Sequence, residues 1–278
     1  MRLRRIIADR MWTFLCVAAV ATAVIPLASI MFDVTAKGIF ALNTDFFTQL
    51  PPLANTQGGG MGNAIQGTLL LVGLSSAIGL PIGIISGIYT SEYGGKNAYG
   101  ATIGFLGDVL SGIPSIVTGI LVYITIVLVF KGFSLLAGGL ALGTMMIPIV
   151  SNTTTQAFKA VPNSIREAST SLGVRKWRTS LLVVANAKSS VATAFLLAIA
   201  RITGETAPLI LTAGISTQWY TGPFHPVASL TYYIYYFATS PFTNWQDLAW
   251  GAALFLMIIV LGINLGVRLV TRQKRSYA

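Results

Sequence analysis

Long apolar stretches with almost no charge dominate this chain. Six of them are long and apolar enough to cross a bilayer, and they lie near 12–32, 63–89, 100–130, 134–156, 191–213 and 248–270. A helix needs about 20 residues to cross a hydrocarbon core of roughly 30 Å. Only 9% of the 278 residues are charged, whereas soluble domains carry roughly 25%. We therefore predict an all-α integral membrane protein with six transmembrane helices, in a single domain covering 1–278.

The third and the first stretches need separate comment. The third is too long for one straight span and contains Asp108 and Pro114. We expect it to begin as an interfacial helix or to kink near 112–114, because proline disrupts helical hydrogen bonding. The first stretch follows a basic N-terminus, but its apolar run is longer than that of a signal peptide. We predict that it is a retained anchor.

Lysine and arginine are concentrated in alternate connections between the stretches. Four precede the first stretch, Lys96 lies in the second connection, six lie in 157–190 and four lie near the C-terminus. The opposite connections contain only Lys37 and Lys131. By the positive-inside rule, both termini are predicted to be cytoplasmic. The net charge of +10 is thus explained by membrane lipid, and we expect no nucleic-acid partner because the basic residues are not interleaved with exposed aromatics.

The residue types that most enzyme or metal sites require are scarce. The chain has one histidine, His225, and one cysteine, Cys16, and the H-E-x-x-H and G-x-S-x-G patterns are absent. It also lacks a Walker A loop, because Gly95-Lys96 is followed by Asn97 and has Thr90 where the first glycine would stand. We predict a protein that is not an enzyme and that binds no metal or cofactor of its own. If ATP drives it, another chain hydrolyses that ATP.

Two further patterns predict local packing. Three glycines four residues apart, Gly79, Gly83 and Gly87, let helix backbones approach closely, so this spacing predicts packing inside a bundle. The aromatic run 232–237 lies in the last outer connection. It favours an interfacial aromatic belt over a binding platform.

The connection 157–190 is the one sizeable polar segment. Ser164 precedes Glu167 by three residues, the spacing of a capping box. Gly173 can adopt the left-handed conformation that ends a helix. We predict a short helix from about 165 to 172, followed by a second basic piece from 174 to 182. Such a helix either docks on a partner or packs on the protein's own helix ends, and the residues alone leave both open.

A charged pair lies within the fifth stretch. Counted from an expected start near Val191, Arg201 lies about 15 Å deep at about 1.5 Å per residue. Glu205 follows four residues later, so both side chains are expected on one side of the helix. The pair either pins neighbouring helices or forms part of an anion pathway, in which arginine presents a planar fork to oxyanions. Thr203 and Thr206 would add hydroxyls, and the residue chemistry leaves the anion unspecified.

The cytoplasmic connection resembles the ATPase-coupling motif of bacterial ABC importer permeases, E-A-A-x3-G. The chain reads Glu167-Ala168-Ser169-Thr170-Ser171-Leu172-Gly173, and it departs from the motif where Ala185-Asn186 replace Leu-Pro. The resemblance implies a helix that docks on a separate ATPase subunit through Glu167, Ala168 and Gly173. It also implies that Arg166 takes part in the coupling.

A second resemblance, over about 62–272, is to the PstA-type permeases of the bacterial phosphate ABC importer. The matching segments are 108–117, 240–250 and Ala200-Arg201-Ile202-Thr203-Gly204-Glu205-Thr206-Ala207-Pro208-Leu209. It implies the type I ABC importer permease fold in the bacterial inner membrane, with Arg201, Glu205, Thr203 and Thr206 in the phosphate pathway. The implied partners are a homologous PstC-type permease, forming a heterodimer, a dimer of PstB-type ATPases holding ATP and Mg, and a periplasmic phosphate-binding protein.

Three other functions remain as alternatives. The chain could carry another oxyanion, such as phosphite, phosphonate or sulfate, because arginine binds these as well. A membrane enzyme acting on lipid phosphates would need a nucleophile and a base, and His225 has no obvious partner. A purely structural assembly subunit would need Arg201 only for folding. Co-purification with an ATPase would favour transport of phosphate or of another oxyanion over the membrane enzyme and the assembly subunit.

Overall fold

The computed structural model describes residues 2–56, 58–94 and 98–273, and within them it is helical without β-strands. The helices are α1 (Arg2–Gly38), α2 (Thr44–Thr48), α3 (Gly62–Glu92), α4 (Ala98–Gly112), α5 (Ser115–Val122), α6 (Leu128–Phe130), α7 (Leu135–Lys159), α8 (Asn163–Ser171), α9 (Lys176–Thr203), α10 (Ala207–Thr212), α11 (Leu230–Ala238) and α12 (Thr243–Gln273). A π-helical turn, Tyr123–Val127, joins α5 to α6. Lys96, Lys274 and Arg275, which contribute to the predicted topology, lie outside the described residues.

The predicted membrane spans are present, with one of them bent. Within the described residues, five helices are long and apolar enough to cross a membrane: one over Asp9–Ala41, α3, α7, α9 and one over Thr243–Gly266. The pair Ala98–Gly112 and Ser115–Phe130 adds a sixth candidate that is bent by 103°. Pro114 occupies the N-cap of α5, where its missing N–H removes no hydrogen bond. The kink predicted near 112–114 is confirmed.

The glycine row of α3 lies directly against α7. A Cβ at Gly79 would lie 2.7 Å from the Met146 Cβ, and one at Gly83 would lie 2.7 Å from the Val150 Cβ. Gly87 meets the carbonyl oxygen of Ser151 in the same way, at 2.6 Å. Such distances leave no room for a side chain. The prediction that this spacing serves packing within the bundle is confirmed, and α3 and α7 form one tightly packed pair.

Helix α9 is longer than predicted and begins earlier. The sequence predicted a basic piece at 174–182 and a separate span at 191–213, whereas one helix runs from Lys176 to Thr203. That interval contains no glycine or proline to interrupt the helical hydrogen bonds. The helix then stops at Gly204 instead of continuing to 213. A single continuous helix therefore connects the polar connection to the charged pair.

Part of the aromatic run is core and not an interfacial belt. Tyr233 and Phe237 on α11 are buried, and their rings stack with centroids 4.9 Å apart. The Tyr233 hydroxyl donates to the Ser216 carbonyl at 2.6 Å and accepts from the Asn63 amide at 3.1 Å. These bonds join α11 and the connection before it to the start of α3. Tyr235 remains exposed.

Candidate functional site

A helix break between α9 and α10 forms the centre of the candidate pathway. Gly204 is the C-cap of α9, and its N–H donates to the Arg201 carbonyl at 3.2 Å. Glu205 lies between the two helices, and its carbonyl accepts a hydrogen bond from the Thr231 hydroxyl of α11 at 2.9 Å. Thr206 is the N-cap of α10. The break is therefore held in place by a third helix.

Arg201 and Glu205 do not lie as the sequence predicted. Arg201 is exposed in the last turn of α9, whereas Glu205 is partly buried beyond the helix end. Glu205 lies beyond Thr203, the last residue of α9, so the four-residue spacing does not place both residues on one helix. Among the described side chains, no ion pair joins the two. The expectation that they face one side of a helix was wrong.

The position of Arg201 along its helix also changes. It lies 25 residues after Lys176, the first residue of α9, which is about 37 Å at about 1.5 Å per residue. The estimate of about 15 Å assumed a start near Val191. Arg201 thus stands at the opposite end of a rigid element from the polar connection.

The two threonines differ in their exposure. Thr203 is buried, and its hydroxyl donates to the Ile199 carbonyl within its own helix at 2.7 Å. Its position gives no support to the predicted contact with an anion. Thr206 is partly exposed beside Glu205. At the break, Arg201 is therefore exposed, and Glu205 and Thr206 are partly exposed.

The second half of the bent span closes one side of this break. Gly119 of α5 is buried against α10, and a Cβ there would lie 2.8 Å from the Pro208 Cα. Gly119 was not predicted from the sequence. It belongs to none of the motifs, and the contact joins residues 89 positions apart in the chain.

The short helix of the polar connection is present, with a different start. Helix α8 begins at Asn163 with Pro162 as its N-cap and has no side-chain capping bond. The capping box was wrong because Ser164 lies inside the first turn. Gly173 has a φ of +73°, so its predicted left-handed conformation is confirmed. Glu167, Ala168 and Gly173 are all exposed.

Arg166 points into the protein. Its Nη2 lies 2.8 Å from Oε1 of Glu92 at the end of α3, and it also donates to the Phe158 carbonyl at 2.8 Å. Its Nη1 donates to the Val161 carbonyl at 2.8 Å. Glu92 was not predicted from the sequence. The available signal was that Glu92 is the only acidic residue between Asp45 and Asp108.

Helix α8 is also joined to the start of α9. The hydroxyl groups of Ser169 and Thr179 lie 2.8 Å apart and are both buried. Lys176 places its ammonium 4.3 Å from the ring centroid of Tyr93, just beyond α3. Helix α8 thus contacts α3, the end of α7 and α9 on one side, and its other face is exposed.

Comparison with known proteins identifies related chains. A family model described as "Binding-protein-dependent transport system inner membrane component" matches residues 79–275. Phosphate transport system permease protein PstA of Yersinia pestis is 42% identical, covering 88% of this chain and 84% of that protein. The PstA of Haemophilus influenzae is 41% identical over 90% and 88% of the two chains. PstA 1 of Mycobacterium tuberculosis is 35% identical over 98% and 92%.

Solved structures show the same fold. An inward-facing conformation of the MetNI methionine ABC transporter superposes with a TM-score of 0.60, covering 76% of this chain and 96% of that chain. The identity is 16%. At this identity the match establishes the fold alone, which is that of type I ABC importer permeases.

Proposed function

The chain belongs to the family of binding-protein-dependent transport system inner membrane components, and we propose that it carries inorganic phosphate as a permease subunit of an ATP-driven importer. The observation that carries this proposal is its identity of 42% to a phosphate transport permease over 88% of the chain. The chain is a multi-pass inner membrane protein of this family. The positive-inside rule supports cytoplasmic termini.

The helix break supports a path for an anion. Arg201 is exposed in the isolated chain, and the ten residues before it, 191–200, carry no charge. An arginine that faces lipid within a membrane span is costly, so such residues face a cavity or a partner. Arg201 would bind phosphate oxygens through its planar fork. Glu205 and Thr206, which are partly exposed at the same break, would line this path with Arg201, and the negative charge of Glu205 would help to discriminate between anions by repulsion.

A second permease would complete this path. One chain leaves Arg201 uncovered, and a homologous PstC-type permease would close the pore as a heterodimer. A periplasmic phosphate-binding protein would deliver the substrate. Specificity would reside mainly in that protein, because a path that held phosphate tightly could not release it.

Energy would enter through the exposed face of α8. Glu167, Ala168 and Gly173 are accessible to a partner, and they match the motif by which ABC importer permeases bind their ATPases. We assign ATP and Mg to a dimer of PstB-type ATPases and none to this chain. Helix α9 would carry movement from this connection towards Arg201, because it is continuous over 28 residues.

Uptake of labelled phosphate tests the proposal. Cells lacking the gene should lose high-affinity uptake and regain it with the gene restored. Unlabelled phosphate, sulfate, phosphite and phosphonate are then added as competitors. Competition by phosphate alone supports the phosphate assignment. Stronger competition by another oxyanion would transfer the assignment to that anion. Two negative results together would exclude a transport function: uptake that does not depend on the gene, and no ATPase that co-purifies with the chain. The remaining functions would then be a membrane enzyme acting on lipid phosphates or an assembly subunit.

A further inference from the structure

A buried ion pair joins two elements that no motif connects. The Arg166 guanidinium contacts Glu92 through Nη2 at 2.8 Å and through Nε at 3.3 Å. The side chains are only 22% and 6% exposed, respectively. Charges withdrawn from water are costly unless their partners are well placed, and removal of one partner leaves the other uncompensated. The relative positions of these two residues are therefore strongly constrained.

Arg166 fixes α8 to more than Glu92. Its remaining donors reach the carbonyls of Phe158 and Val161, each at 2.8 Å, at the end of α7. The guanidinium fork thus binds the ends of both members of the α3–α7 pair. Because the glycine row locks these two helices together, α8 is attached to a single rigid body. Within the described residues, Arg166 makes the hydrogen bonds that join α8 to α3.

Arg166 is turned away from the face on which an ATPase would bind. Glu167 and Ala168, the next two residues, are exposed, whereas Arg166 is largely enclosed by Glu92 and the two carbonyls. Most N–H donors of this arginine already form hydrogen bonds within the chain, so few are available to bind another subunit. Its contacts indicate a link within the permease.

We propose that Glu92 and Arg166 are a positioning pair that transmits movement of α8 to the α3–α7 pair during transport. This inference rests on the proposed docking of an ATPase on α8. When the ATPases close, α8 moves with them, and the ion pair makes α3 and α7 follow. Ser169 and Thr179 provide the parallel link to α9. Through these two contacts, a movement of α8 would displace three spans, α3, α7 and α9.

Two conservative variants in the assembled transporter test the pair. Arg166→Lys keeps the charge but loses the fork, and Glu92→Gln keeps the shape but loses the charge. We expect normal assembly and ATP hydrolysis, with phosphate imported per ATP lowered roughly tenfold, within the usual range of coupling between sites. The double variant should be no worse than the more severe single variant, because both act through one contact. Lys188→Gln, an exposed change on α9, is the matched control.

A role limited to stability would give a different result. The yield of complex, the hydrolysis rate and the uptake would then fall in proportion, and the import per ATP would stay constant. That outcome, or an unchanged ratio in both variants, would overturn the proposal.

A distance measurement makes the test independent of the substrate. Spin labels at Ser164 on α8 and Ile85 on α3, both exposed, are introduced after Cys16→Ser, since Cys16 is the sole cysteine of the chain. In an otherwise cysteine-free complex, ATP should leave this distance unchanged with Arg166 present and shift it in Arg166→Lys. A shift of equal size in both would contradict the proposal. Wild-type protein that fails to import phosphate would overturn the proposed function, while this distance would still decide the role of the pair.

Discussion

Gly119 of α5 lies directly against Pro208 of α10, so close that a Cβ on Gly119 would be 2.8 Å from the Pro208 Cα. This contact places the bent span beside the helix break that holds Glu205 and Thr206. The backbones of α5 and α10 cannot easily move apart here, because Gly119 and Pro208 are both buried. The geometry of the break therefore depends on the absence of a side chain at position 119.

Replacement of Gly119 by alanine should impair transport. The added methyl would displace α10, and overpacking of this kind costs about 1–3 kcal/mol. We expect phosphate uptake to fall at least severalfold at equal expression. Gly112→Ala is the control, because no atom lies within 4 Å of a Cβ there. Equal uptake by both variants would show that α10 does not need this close contact.

The stability of the protein should also fall when a side chain is added at the contact between α3 and α7. At Gly83 a Cβ would lie 2.7 Å from the Val150 Cβ and 2.9 Å from the Ile147 carbonyl oxygen. Gly83→Ala should lower the free energy of unfolding by about 1–3 kcal/mol, measured by thermal unfolding in detergent. Gly73→Ala in the same helix faces open space. It should instead be neutral or stabilising, by up to about 1 kcal/mol.

Arg201→Gln should abolish uptake while the transporter still assembles. Arg201 is exposed and forms no ion pair with Glu205, so its removal leaves the thermal unfolding midpoint nearly unchanged. Arg201→Lys keeps a point charge without the planar fork and separates the two modes of binding. Unchanged phosphate flux in Arg201→Gln would remove the arginine from the pathway. A large fall in unfolding temperature would favour a purely structural role.

Substitutions at Gly173 should distinguish backbone geometry from side-chain contact. Its φ of +73° is strained for most residues and is tolerated best by glycine and asparagine. Gly173→Val should distort the end of α8 and reduce co-purification of the ATPase. Gly173→Asn should largely retain it. Glu167→Ala should weaken docking without a change in the fold, and normal co-purification in Gly173→Val and Glu167→Ala would exclude α8 as the docking helix.

The buried Tyr233 should make stability depend on pH in the alkaline range. Burial raises the pKa of Tyr233 to about 12 from its ordinary value of 10.0. The folded state therefore keeps the proton more tightly than the unfolded state, and the stabilisation is complete below about pH 10. It is lost as the pH rises from about 10 to about 12, by roughly 2–3 kcal/mol in total.

Thermal unfolding of Tyr233→Phe checks this expectation. The variant loses the hydrogen bond to Ser216 and should be less stable at neutral pH by about 1–3 kcal/mol. Its stability should also fall less steeply than that of wild type above pH 10. Tyr235→Phe alters an exposed ring and should follow wild type. Parallel pH profiles for Tyr233→Phe and wild type would contradict the buried-hydroxyl explanation.

Several local features were readable from the sequence because neighbouring residues determine them. The spans follow from the energy of placing apolar side chains in lipid. The kink follows from Pro114, the end of α8 from Gly173, and the close packing of α3 from the spacing of Gly79, Gly83 and Gly87. The motifs around Glu167 and Arg201 also indicated the family, which the comparisons establish. Each of these inferences needed only a short window of sequence.

Other features depend on contacts between distant segments, and only the tertiary structure decided them. Arg166 meets Glu92 across 74 residues, and Asn63 meets Tyr233 across 170. Arg201 lies on α9 and Glu205 lies beyond it because α9 ends at Thr203, and the Thr231 hydroxyl of α11 binds the Glu205 carbonyl there. A spacing rule assumes that a helix continues, whereas packing against other helices determines whether it does. The sequence thus identified the spans and proposed the candidate site residues, and the packing of the bundle decided which of them meet.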